Sequence, residues 1–122
     1  MKIELRQQFQ IESARFLPKL PAAHPCSRMH GHSFKIIISL IGDVDPEMGW
    51  VMDYHEISNI MKPILSKLDH HILNEIEGLK NPTSELLAKW IYDQAISSLP
   101  ILKSVSVLET DTTECRYSPN IK

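Results

Sequence analysis

Within nine residues, His24-Pro25-Cys26-Ser27-Arg28-Met29-His30-Gly31-His32, the chain places three of its six histidines and one of its two cysteines. Imidazoles and thiols hold metal ions or move protons near neutral pH. Ser33-Phe34-Lys35-Ile36-Ile37-Ile38-Ser39-Leu40 follows and reads as a strand. Side chains two apart on a strand project together. His30 and His32 can therefore reach one metal ion, with Gly31 leaving room, or stand as plain strand-end histidines. A catalytic zinc needs three protein ligands, and His24 is the nearest further candidate. Cys26, in a polar loop beside Arg28, is a candidate base or nucleophile, because nearby positive charge lowers a thiol pKa. Its bland alternative is a small buried apolar residue.

Two further sites carry chemistry. In Leu68-Asp69-His70-His71-Ile72-Leu73-Asn74 a carboxylate precedes an imidazole, the arrangement of a positioned proton shuttle. Histidines stabilising a helix carboxyl end would leave the same pattern. Near the end of the chain, Val105, Val107 and Glu109 share one strand face by parity. A carboxylate on an apolar face costs several kcal/mol to desolvate unless something binds it. Glu109 is thus a candidate anchor for a cationic or N–H-bearing ligand, such as an amidine-like edge.

The remaining composition narrows the class. A chain of 122 residues with 43% hydrophobic content is expected to form one soluble domain, residues 1–122. A net charge of −2 offers no basic field for nucleic acid. Neither a leader-type apolar segment nor a membrane-length run is evident. Two distant cysteines suggest reduced thiols and a cytoplasmic setting.

These groups need a scaffold, and the periodicity supplies one. Ile3, Leu5, Phe9 and Ile11 alternate, predicting a first strand over 2–12. Pro18, Pro21 and Pro25 mark residues 17–29 as an extended loop. The second strand is expected to run to Leu40 or Ile41, with a turn over 43–49 and Trp50-Val51-Met52 extended. Asp53 as N-cap and Glu56 three later open a helix whose stripe is Ile57, Ile60, Met61, Ile64, Leu65 and Leu68, disturbed at Pro63. Asn81-Pro82-Thr83-Ser84-Glu85 starts a second helix, which Pro100 ends. Strands are expected over 104–110 and 113–117. The order ββααββ makes an α+β fold, an antiparallel sheet with two helices on one face, whose open edges invite oligomerisation.

Taken in order, Cys26-x-x-x-His30-Gly31-His32-Ser33-Phe34, Gly42-Asp43-Val44-Asp45-Pro46, Gly49-Trp50-Val51-Met52-Asp53, Leu68-Asp69-His70-His71-x-Leu73-Asn74, Asn81-Pro82-Thr83-Ser84-Glu85 and Glu109-Thr110 resemble the 6-pyruvoyltetrahydropterin synthase superfamily. More narrowly, they resemble its bacterial 6-carboxytetrahydropterin synthase branch, of the queuosine pathway. The resemblance implies the tunnelling fold, with trimers closing a twelve-stranded barrel and two trimers stacking as a homohexamer with sites between subunits. It implies zinc and the substrate 7,8-dihydroneopterin triphosphate, from which acetaldehyde and triphosphate leave to give 6-carboxy-5,6,7,8-tetrahydropterin. By position, Cys26 is the proton-abstracting base, Asp69 with His70 the relay on a neighbouring subunit, and Glu109 the anchor of the pterin's 2-amino and N3 edge. Thr110 and Arg15 are further substrate-binding candidates.

One position departs from the pattern. Where the superfamily carries its first zinc-ligating histidine, in Phe9-Gln10-Ile11-Glu12-Ser13-Ala14-Arg15, this chain has Arg15. A guanidinium stays protonated and has no lone pair for zinc. Three outcomes follow: His24 completes the ligand set with His30 and His32; zinc binds weakly through those two; or the site is metal-free and Arg15 supplies positive charge. The first is the expectation taken forward.

Overall fold

The computed structural model describes residues 1–121. Four strands, β1 (Lys2–Arg15), β2 (His30–Asp43), β3 (Leu102–Thr110) and β4 (Thr113–Tyr117), form one sheet in the order β1-β2-β3-β4, every neighbour antiparallel. Two helices, α1 (Tyr54–Ser66) and α2 (Ser84–Ala95), lie between β2 and β3 in sequence, giving the expected ββααββ order. Ile57, Met61, Ile64 and Leu65 of α1 join Leu87, Ala88, Ile91 and Ala95 of α2 in one core. Against them lie Ile11, Phe34, Ile36, Ile38, Val105 and Val107 from a single sheet face, so both helices cover that face.

Several boundaries differ from the sequence reading. β1 does not end near Glu12 but continues to Arg15, because its last residues pair with His30, Gly31, His32 and Ser33 of β2. Trp50-Val51-Met52 is a series of bends rather than extended chain, with the Trp50 carbonyl accepting from the Asp45 amide at 2.7 Å. Asp53 caps α1 through the His55 amide, at 2.9 Å. The helix runs on through Pro63 and ends three residues later. Pro63 and Asn59 are both exposed, so water can replace the amide that proline lacks.

The outer edge of β1 is covered only near its carboxyl end. There Glu12 N–H donates to Asp69 Oδ1 (2.8 Å), the Glu12 carbonyl accepts from His70 N–H (2.6 Å), and Ala14 N–H donates to the His71 carbonyl (3.1 Å). No helix among the described residues is long and apolar enough to cross a membrane.

Candidate functional site

Extending β1 to Arg15 is what assembles the site. Arg15 is the cross-strand partner of His30, Ser13 of His32 and Ile11 of Phe34. Partners directly opposite in an antiparallel pair project to the same face. Arg15, Ser13, His30 and His32 therefore continue, at one end of the sheet, the face that carries Phe34 and the core. Glu109 lies on this face by its parity with Val105 and Val107, as the sequence predicts, and it meets Arg15 directly.

Arg15 is 2% exposed and held from three sides. Its Nη1 donates to the Pro82 carbonyl at 2.9 Å, its Nη2 donates to Glu109 Oε1, and its guanidinium carbon stands 5.1 Å from the centre of the Phe34 ring. Ser84 Oγ, from the first turn of α2, donates to the same Oε1. Burial, the largest single influence on the Glu109 carboxyl, pushes its pKa up. The Ser84 hydroxyl and the Arg15 guanidinium outweigh it, and the net pKa is lowered from 4.5. The amino end of α2 adds a favourable dipole for the anion. No described residue hydrogen-bonds to Oε2, which leaves that oxygen for a ligand. Thr110 sits beside Glu109 at the start of the β3–β4 turn, where its hydroxyl is 2.7 Å from that of Thr113.

His30 and His32 do come together, their rings edge to face with centroids 4.8 Å apart. His30 Nδ1 donates to the Arg28 carbonyl at 2.7 Å, which leaves the lone pair on Nε2, and Nε2 is buried without a partner. The His32 pKa is lowered, first by burial and then by the Arg15 charge, so its ring is neutral at pH 7. Two imidazoles on one face, one with an orphaned nitrogen, suit two ligand positions of a metal. Arg15, paired across from His30 on the same face, has no lone pair to offer as a third ligand. A divalent ion about 4 Å from a guanidinium would meet a repulsion on the order of 8 kcal/mol at an effective dielectric near 20. No group of three His, Cys, Asp or Glu side chains able to hold a metal occurs among the described residues. The donor set does not fit a three-ligand zinc centre.

His24 is not brought to the pair. Its Nδ1 accepts the Cys26 amide at 3.1 Å and caps the short 3-10 turn Pro25–Ser27, with the residue exposed. The histidine expected as third ligand shapes the Cys26 turn instead. Cys26 itself is a half-buried free thiol. Its carbonyl accepts from the Leu17 amide at 2.8 Å, which ties its loop to the end of β1 just beyond Arg15.

Asp69 and His70 follow α1 and fasten to the opposite edge of β1. Asp69 Oδ1 accepts the Glu12 amide, while Oδ2 lies 3.0 Å from His70 Nδ1. Those hydrogen bonds, from the amide first and then from His70, lower the Asp69 pKa. His70 has φ +58°, a left-handed backbone that non-glycine residues rarely adopt and that clusters at functional sites. With His71 and His32 it lines a shallow cleft of about 380 Å³ over the end of β1.

Sequence reasoning missed three supporting residues. Asn74 accepts the Phe16 amide (3.0 Å) and donates to the Phe16 carbonyl (2.8 Å), pinning the chain after Arg15. Ser13 Oγ donates to the Leu68 carbonyl at 2.6 Å, and Ser84 fixes Glu109. Asn74 and Ser84 lie inside the motifs read above. Ser13 was betrayed only by being polar on an apolar strand face.

The sequence profile of the family described as 6-pyruvoyl tetrahydropterin synthase matches residues 4–120. A protein of Synechocystis sp. named 6-carboxy-5,6,7,8-tetrahydropterin synthase is 38% identical, over 94% of this chain and 93% of its own. One of Bacillus subtilis with the same name is 33% identical, over 95% of this chain and 85% of its own. The solved 6-pyruvoyl tetrahydropterin synthase of Caenorhabditis elegans superposes with a TM-score of 0.90 at 25% identity, covering 98% of this chain and 97% of its own.

Proposed function

Since the chain belongs to the 6-pyruvoyl tetrahydropterin synthase family, we propose that it is a carbon–carbon lyase of the carboxytetrahydropterin type. Its substrate is 7,8-dihydroneopterin triphosphate, which with water gives 6-carboxy-5,6,7,8-tetrahydropterin, acetaldehyde and triphosphate, the pterin serving as a queuosine precursor. The observation that carries this reading is Glu109, an ionised carboxylate on an apolar face with one oxygen pinned and the other free. Oε2 accepts from the N–H-bearing edge of the pterin, fixing the ring's orientation. Cys26 Sγ, as the thiolate, takes the proton from the substrate side chain, and a reducing compartment such as the cytoplasm keeps it out of a disulfide. His70, oriented by Asp69 through Nδ1, carries protons at its exposed Nε2. The donor set does not fit zinc, so these side chains act without a metal.

The open edges of β1 and β4 support assembly through sheet continuation, as trimers stacked into a homohexamer. His70 then stands exposed toward a site that the assembly completes.

Arg15 favours one second reading, a pterin-binding protein without turnover. The Cys26→Ala variant separates the two. Under the lyase reading it binds a pterin like the parent but makes no product. Equal product from variant and parent would remove Cys26 from the chemistry, and no product from the parent would favour binding alone.

A further inference from the structure

We infer that Arg15 stands in this chain where a metal ion would sit, and that its guanidinium is the built-in cation of a pterin site that works without zinc. The inference rests on the pterin reading above. Four observations carry it. Arg15 is the cross-strand partner of His30, shares a face with His32 and lies with it against the Phe34 ring, so an ion held by those imidazoles would meet a fixed positive charge beside it. It is buried and fixed by the Pro82 carbonyl, the Glu109 carboxylate and the Phe34 ring, so it does not swing aside as a surface arginine would. Its charge is permanent, so no change of pH turns it into a lone-pair donor. Finally, no third donor group joins His30 and His32 among the described residues.

The arrangement also gives Arg15 a positioning role. Both hydrogen bonds to Glu109 from within the chain end on Oε1, one from Arg15 and one from Ser84, so the carboxylate is clamped at one oxygen and presents the other. The ligand-facing oxygen is therefore set by the residue that displaces the metal. His30 Nε2, buried and unpartnered, is left to accept a hydrogen bond from a hydroxyl of the bound ligand.

The test uses the intact protein, with zinc measured by elemental analysis and binding of neopterin followed by its fluorescence, each with and without a chelator. The expected parent protein retains well under about one zinc per chain after dialysis and binds neopterin equally in both conditions. The Arg15→His variant, which supplies the missing donor, gains about one zinc per chain. The Arg15→Met variant loses about tenfold or more in neopterin affinity without gaining zinc, because Glu109 is no longer clamped. Parent protein holding about one zinc per chain, or losing neopterin on chelation, overturns the inference. If the parent binds no neopterin in either condition, the pterin reading fails, and the parent's zinc content still decides whether Arg15 has displaced a metal. That count needs no variant to fold.

Discussion

Arg15 on β1 and Glu109 on β3 form an ion pair that crosses over β2, with the Phe34 ring of β2 beneath the guanidinium. The two strands are not neighbours in the sheet, so the pair braces its functional end. Arg15→Met leaves a half-buried carboxylate with only Ser84 as partner. Removing one member of such a pair costs about 3 kcal/mol, the lower end for buried pairs because Glu109 remains partly open to solvent. Urea denaturation should show that loss for Arg15→Met. Arg15→Met combined with Glu109→Gln should lose less than the sum of the two single variants.

Acid should weaken the same end. The folded Glu109 pKa lies below its ordinary value of 4.5, so its contribution is complete above that value. It is lost as pH falls through the lower folded value. Thermal melts should therefore show parent protein more stable than Glu109→Gln at neutral pH, with the gap closing in the acid range below 4.5. A gap independent of pH would show that the carboxylate charge is not what Arg15 and Ser84 hold.

Asn74 imitates a strand by bonding both backbone groups of Phe16. Asn74→Ala strips both partners, and about 1–3 kcal/mol of stability should go with them. Amide exchange should quicken first at residues 15–17, and neopterin affinity should fall with it. Unchanged exchange there would mean that the strand end holds without its clamp.

Gly42 tests the opposite end of the sheet. A Cβ there would stand 2.7 Å from Cγ1 of Val51, a short branched side chain with little freedom to yield. Gly42→Ala should cost about 1–3 kcal/mol by crowding. Neopterin affinity should remain that of the parent, since the site lies at the other end of β2.

The sequence and the structure agree where local pattern decides. Alternation and capping placed four strands and two helices, and parity alone put Glu109 on the core-facing side. The end of β1 was not legible. Ser13, Ala14 and Arg15 are polar or small and fall beyond the strand expected over 2–12; pairing with His30–His32 on one side, and the bond from the Ala14 amide to the His71 carbonyl on the other, keep them extended. That tertiary contact turned Arg15 from a puzzling substitution into the centre of an ion pair. The fate of His24 was hidden for a similar reason. Proximity in sequence suggested a ligand, whereas its ring nitrogen is used two residues away by the Cys26 amide.

The most direct test of the lyase reading is identification of product. Purified protein, treated with chelator and kept anaerobic, is mixed with 7,8-dihydroneopterin triphosphate and followed by mass spectrometry. The account predicts 6-carboxytetrahydropterin and acetaldehyde, formed without added zinc and absent with Cys26→Ala. Substrate returned intact by folded parent protein, with and without zinc, would contradict it.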